Sequence, residues 1–258
     1  MGKVYLVGAG PGDPELITVK GLKAVQQADV ILYDRLVNRL LLDEAHEGAK
    51  LVYCGKSPDR HSLSQETINS LLVKYAKQGN VVTRLKGGDP FIFGRGGEEA
   101  EYLRKNGISF EVVPGITSGS AAPAYAGIPL THREYSSSVA FVSGAGKNGE
   151  DSGQNWEHLA KGADTLCIYM GVKHLPDICE QLLRHGRHPK TPVALVYCGT
   201  TDEQQTVTGN LENITTKAKM IRNPAMIIIG DVVRLREKIQ WYEWLELEKE
   251  QPSQVVFG

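Results

Sequence analysis

The chain lacks most of the signatures that would assign it to a class at once. Its four cysteines, Cys54, Cys167, Cys179 and Cys198, lie far apart with no C-x-x-C pair. That spacing excludes a zinc ribbon or a disulfide framework and reads as reduced thiols in small core positions. No apolar run approaches the roughly 20 residues of a membrane span. Met1-Gly2-Lys3-Val4 leads straight into an apolar strand rather than a signal peptide, so the expected location is cytoplasmic. An excess of one charge is missing too. The 29 Lys and Arg against 30 Asp and Glu give a formal net charge of −1, which argues against a nucleic-acid partner. No serine or cysteine sits in a G-x-S-x-G elbow. His185-Gly186-Arg187-His188 has no acidic or cysteine neighbour to complete a metal site, so no metal is expected.

What the chain has is glycine, 28 residues of it, gathered where apolar runs end. Val4–Val7, Val30–Tyr33, Leu51–Cys54, Val81–Leu85 and Phe110–Val113 predict strands. Helices are expected over Glu15–Gln27 and from a capping box at Ser62 and Gln65 through Gln78. This alternation predicts a mostly parallel sheet covered on both faces. Pro114-Gly115 interrupts it and marks a domain boundary, giving an N-terminal α/β domain over 1–113, a C-terminal one over 114–240 and a tail from 241 to 258. After a run of tiny side chains, Ile116–Ala122, strands are expected at Val139–Ser143, Leu166–Met170, Val193–Tyr197, Thr206–Thr208 and Met226–Gly230. Helices are expected at Trp156–Ala160, Leu175–His185 and Leu211–Met220, with a polar loop over Lys147–Gln154 and an aromatic anchor at Trp241, Tyr242 and Trp244.

In open α/β sheets ligands gather at the carboxyl ends of strands. The first such end, Gly8-Ala9-Gly10-Pro11-Gly12-Asp13-Pro14, looks like a nucleotide-binding turn but breaks the dinucleotide pattern, with Asp13 where G-x-G-x-x-G needs glycine. Pro11 removes a donor and Asp13 adds negative charge, so the turn suits a nucleoside without phosphates, with S-adenosylmethionine the obvious candidate. Asp34 ends the second strand about 20 residues further on, where a dinucleotide fold places its ribose acid. That position also suits a general base beside Arg35. Arg35, Arg39, Lys56, Arg60, Arg84, Lys86, Arg95 and Arg133, with His61 and His132, cluster at the same ends and suggest a polyanionic small molecule. Solvated surface charge and helix capping remain open for each of these alone.

Together, Val7–Pro14, Tyr33–Val37, Arg84–Gly96, Val113–Ser118 and Gly127–Arg133 resemble the tetrapyrrole methylase superfamily, the class III S-adenosylmethionine-dependent methyltransferases. Tyr33–Val37, Arg84–Gly96 and Thr131–Arg133 narrow it to the branch that methylates uroporphyrinogen III. The resemblance runs from about Lys3 to Lys238. It implies two α/β domains with mostly parallel or mixed sheets, a ligand cleft between them and a homodimer. It implies cofactor contacts at Pro11, Gly87, Gly88, Asp89, Ile92, Thr117, Ser118, Met170 and Gly199, and an acid–base pair of Asp34 and Lys56. Arg35, Arg95, His132 and Arg133 are added here as partners for substrate carboxylates. The implied reaction is transfer of two methyl groups, to C2 and C7, giving precorrin-2 for cobalamin or sirohaem synthesis. The chain leaves no length for the dehydrogenase–chelatase module that some relatives carry. Competing readings are an NAD-dependent dehydrogenase, a related methylase with a corrin or macromolecular substrate, and a non-catalytic tetrapyrrole carrier.

Overall fold

The computed structural model describes residues 2–55, 63–146 and 153–243. The chain divides into two compact units, Met1–Thr117 and Ser118–Gly258. In the first, β1 (Lys3–Gly8), β2 (Val30–Tyr33), β3 (Lys50–Tyr53), β4 (Val81–Lys86) and β5 (Ser109–Val113) form one sheet in the order β3-β2-β4-β1-β5. Every neighbouring pair is parallel. A parallel sheet needs crossovers and cover on both faces, and the alternation of side chains along each strand supplies both. Val4, Leu6, Val30, Leu32 and Val82 point to the face covered by α3 (Gln65–Lys77) and α4 (Gly96–Lys105). Val7, Ile31 and Leu85 point to the opposite face, under α1 (Val19–Gln26) and α2 (Leu40–Asp43).

Two helix expectations change here. The stretch Glu15–Gln27 is not one helix: a 3-10 turn, Pro14–Leu16, ends at extended Ile17 before α1 begins. The break follows from a second cap, because the Thr18 hydroxyl accepts the Gly21 N–H at 3.0 Å. The cap of α3 is Ser64, whose hydroxyl accepts the Thr67 N–H at 3.1 Å. Ser62 lies outside the described residues.

The second unit holds α5 (Ser118–Tyr125), β6 (Val139–Ser143), α6 (Trp156–Gly162), β7 (Thr165–Tyr169), α7 (Leu175–Arg184), β8 (Pro192–Tyr197), β9 (Gln205–Asn210), α8 (Ile214–Lys217), β10 (Ala225–Ile229) and α9 (Arg236–Ile239). Its sheet runs β6-β7-β10-β8-β9. Only β6 and β7 pair in parallel, and the other three pairings are antiparallel, so this sheet is mixed. Leu166, Ile168, Val193, Leu195, Ile227 and Ile229 form its core with Ile178 and Leu182 of α7. The helix expected over Leu211–Met220 shrinks to the four residues of α8. The helix α5 was not foreseen, since its sequence Ser-Gly-Ser-Ala-Ala-Pro-Ala-Tyr carries no amphipathic period and contains Pro123. It forms by packing on β7 and β10.

Candidate active site

In the first unit α1 follows β1 onto one face, whereas α4 follows the adjacent strand β4 onto the other. The loops leaving β1 and β4 therefore part at the carboxyl end of the sheet, and that switch point is where open α/β sheets bind ligands. The strand register brings Gly8 opposite Lys86 and Tyr33 opposite Leu85, so the loops after β1, β2 and β4 start at one level. They are joined there. Gly10 and Gly88 exchange both backbone hydrogen bonds, at 3.2 and 2.6 Å. Asn38 donates to the Gly12 carbonyl at 2.8 Å, tying the Asp34 loop to the glycine loop. Asp89 accepts the Phe91 N–H at 2.8 Å and the Gly115 N–H at 3.0 Å, which fixes the loop after β4 to the one after β5. The close approach requires glycine: a Cβ on Gly8 would lie 2.5 Å from the Gly115 Cα and 2.6 Å from the Gly88 oxygen.

These bonds decide what the loop can hold. A phosphate cradle needs free amides, and here the Ala9 N–H goes to the Lys86 oxygen at 2.7 Å and the Gly10 N–H to the Gly88 oxygen. Pro11 has no N–H, and the Asp13 carboxylate caps its own 3-10 turn by accepting the Glu15 N–H at 2.9 Å. What remains is a turn of small residues closely backed by main chain, with the Ala9 and Gly10 amides already spent.

Asp34 stands directly after β2 with its side chain 29% exposed. One carboxylate oxygen accepts the Leu36 N–H at 3.2 Å, and the other faces the Arg84 guanidinium at 3.4 Å. Arg84 and Lys86 were expected on a basic rim, and the structure corrects this. Both are buried on central strand β4 and converge on Glu99 of α4, at 3.1 and 3.0 Å. Burial lowers the Lys86 pKa, with Arg84 as a second cause, while the facing carboxylates of Glu99 and Asp34 outweigh burial and raise that of Arg84. Gln65 also donates to Glu99 at 3.2 Å, yet the second Glu99 oxygen has no partner among the described residues. Only the shared face was legible in the sequence. In Val-Val-Thr-Arg-Leu-Lys, positions 82, 84 and 86 share a face by period 2, and charges on a covered face must be paired.

Of the other expected residues in this unit, Pro11 and Ile92 are partly exposed and Thr117 is buried. Arg35 and Arg95 are exposed, and Arg95 already grips Glu98 through Nε and Nη2 at 2.9 and 2.7 Å. Leu36, Phe91, Phe93 and Ile116 stand exposed on these same loops, an apolar surround that composition did not reveal. Lys56, Arg60 and His61 lie outside the described residues.

In the second unit Met170 and Gly199 follow the carboxyl ends of β7 and β8. Ser118 opens α5, which meets the neighbours of both. The Gly119 N–H is accepted by the Tyr169 hydroxyl at 3.0 Å, and a Cβ on Gly199 would lie 2.5 Å from that of Ala122. His132 and Arg133 sit elsewhere, on the turn preceding β6. That turn is joined through Ser136 Oγ to Thr165 Oγ1, at the amino end of β7, at 2.8 Å. The His132 Nδ1 accepts the Glu134 N–H at 3.2 Å.

Backbone strain marks the same loops. Among the described residues the non-glycine positions with positive φ are Phe93 and Arg95 after β4, Met170 after β7, and Cys198 and Thr200 after β8. Such conformations cost on the order of 1–3 kcal/mol each and cluster at functional sites. No group of three or more His, Cys, Asp and Glu side chains among the described residues could hold a metal ion. Nor is any described helix long and apolar enough to cross a membrane.

A parallel sheet whose glycine loops withhold their amides from phosphate defines a class: an α/β enzyme fold with a nucleoside site outside the dinucleotide type. The chain belongs to the tetrapyrrole (corrin/porphyrin) methylases, whose sequence profile matches residues 3–215. It is 65% identical over 235 residues to the uroporphyrinogen-III C-methyltransferase of Priestia megaterium, covering 90% of this chain and 99% of that one. The corresponding enzyme of Bacillus subtilis is 56% identical over 258 residues, covering 99% of this chain and all of its own length. The structure is similar to that of uroporphyrin-III C-methyl transferase from Thermus thermophilus complexed with S-adenyl homocysteine. The two superimpose with a TM-score of 0.80 at 42% identity, covering 91% of this chain and 100% of the other.

Proposed function

We propose that this chain is an S-adenosylmethionine-dependent C-methyltransferase that methylates C2 and C7 of uroporphyrinogen III, giving precorrin-2 by way of precorrin-1. The observation that carries the reading is the commitment of the Ala9 and Gly10 amides to Lys86 and Gly88. It leaves a turn suited to an adenosyl group and unsuited to a pyrophosphate, which favours this reading over the NAD-dependent alternative. Similarity to relatives of that name supports the substrate.

Pro11, Gly87, Gly88, Asp89, Ile92, Thr117, Ser118, Met170 and Gly199 are the proposed cofactor contacts. When bound, S-adenosylmethionine supplies a methyl group on a cationic sulfur. The protein's part is alignment and proton management. Asp34, partly exposed and oriented by Leu36 and Arg84, accepts the proton that the methylated macrocycle loses, and Lys56 is the proposed acid. Arg35, Arg95, His132 and Arg133 are proposed to bind substrate carboxylates. Exposed Leu36, Phe91 and Phe93 suit the apolar pyrrole faces of the macrocycle. A homodimer in the cytoplasm, serving cobalamin or sirohaem synthesis, completes the proposal.

One anaerobic incubation with uroporphyrinogen III and S-adenosylmethionine, read by mass spectrometry, tests it. Two added methyl groups are expected. An unchanged mass would reject methylation, and calorimetric binding of NAD without S-adenosylhomocysteine would establish the dehydrogenase.

A further inference from the structure

The helix α5 has little side-chain bulk with which to hold its position. From Ser118 to Tyr125 only the last residue is large, so side-chain burial alone fixes it weakly. Its carboxyl end should also leave backbone carbonyls without intrahelical partners. Three successive carbonyls here accept from side chains in distant parts of the second unit, the first of them, Ala124, also accepting the Gly127 N–H at 3.0 Å. The Trp241 Nε1–H donates to the Ala124 oxygen at 2.9 Å, Gln204 Nε2 to the Tyr125 oxygen at 3.3 Å, and Arg236 Nη1 to the Ala126 oxygen at 2.6 Å.

The donors are themselves bound together. Glu243 accepts from Arg236, from Thr206 at 2.6 Å and from Gln204 at 3.4 Å. The Tyr125 ring lies 5.0 Å from that of Trp241 and 4.9 Å from that of Tyr242. Gly127 lets the segment approach, since a Cβ there would stand 2.5 Å from the Gln240 Cα. At the other end of α5, the Tyr169 hydroxyl accepts the Gly119 N–H, one residue from Ser118, and Ala122 rests on Gly199.

We propose that the segment Arg236–Glu243 is a clamp that positions α5, and through it the Ser118 end of the cofactor site. This rests on the reading of Ser118, Met170 and Gly199 as cofactor contacts. Arg236, Trp241 and Glu243 act as positioning residues: they grip the end of the helix remote from Ser118. Because α5 is short and held at its ends, releasing one end lets the other shift against Tyr169 and Gly199.

The test compares the wild-type chain with Trp241→Phe, which keeps the ring contact and loses the N–H, and with Trp241→Phe/Arg236→Ala. S-adenosylhomocysteine affinity is measured by calorimetry, and KM for S-adenosylmethionine and kcat are measured in the methyl-transfer assay. The double variant is expected to raise Kd and KM about 10-fold, the scale of one or two lost hydrogen bonds. Its kcat at saturating S-adenosylmethionine should stay within about twofold, because uniform binding alone is affected. Trp241→Phe alone should weaken binding about threefold and decides the matter where the double variant does not fold. Unchanged affinity in a folded variant, or a fall in kcat without a rise in KM, would overturn the clamp. A wild-type chain that bound no S-adenosylhomocysteine would instead sink the functional reading, and the same titration reports it.

Discussion

Lys86 Nζ and the Glu99 carboxylate meet at 3.0 Å, with side-chain exposures of 5% and 0%. Arg84 shares that carboxylate oxygen from the neighbouring side and reaches on toward Asp34. Glu99 is thus the counter-ion for two buried cations directly beneath the proposed base. Its removal strands Lys86 and leaves Arg84 with Asp34 alone, and breaking a buried pair costs about 3–5 kcal/mol. Lys86 differs, because burial already pushes its pKa down and the charged form is held against a desolvation cost. Glu99→Ala should therefore lower the denaturation midpoint far more than Lys86→Met. Equal losses in urea melts would refute this pairing.

This cluster also shows how far the sequence could be read. Apolar runs placed the strands, and the broken G-x-G-x-x-G pattern pointed to a nucleoside ligand, because both depend on local spacing. Arg84 and Lys86 looked like rim charges because nothing local says that β4 is central, and Glu99, fifteen residues beyond Arg84, is matched to it only by the α4 crossover. The helix α5 was illegible for a related reason. Its residues have poor propensity, and its carbonyls are satisfied by Gln204, Arg236 and Trp241, which are distant in the chain. The positive φ at Met170, Cys198 and Thr200 likewise depends on tertiary context.

Asp34 separates chemistry from binding. Its carboxylate contacts the Leu36 N–H and Arg84, and no bond joins it to the glycine loop after β1 among the described residues. Asp34→Asn keeps an acceptor for the Leu36 N–H but cannot take a proton. Turnover should fall by roughly 10²–10⁴, the usual worth of a general base. S-adenosylhomocysteine affinity should stay near that of the wild type in a calorimetric titration. Parallel loss of both would make Asp34 a cofactor or structural residue.

Two glycine substitutions should act in opposite directions. A Cβ on Gly8 meets only backbone, at 2.5 and 2.6 Å, so Gly8→Ala must push apart the loops after β1, β4 and β5. Stability and S-adenosylhomocysteine binding should fall together. Gly97 lies inside α4 with nothing within 4 Å of its would-be Cβ. There alanine should stabilise by about 0.5–1 kcal/mol through helix propensity. Thermal melts of the two variants, with a binding titration for each, check the contrast.

The buried thiols set an alkaline limit. Burial pushes Cys167 up to about 12 and Cys179 up to about 11, from an ordinary value of 9.0. A raised folded-state pKa contributes stability that is intact below about 9 and is lost as pH climbs toward the folded values, because the unfolded thiols ionise first. At pH 10.5 each thiol should remove about 2 kcal/mol relative to pH 8. Lysines and tyrosines titrate in the same range, so the comparison must be internal. In urea melts, the Cys167→Ala/Cys179→Ala variant should start less stable at pH 8, from the cavities, and lose about 4 kcal/mol less than the wild type on going to pH 10.5. Parallel losses in the two proteins would show that these thiols ionise as readily in the folded chain as in the unfolded one.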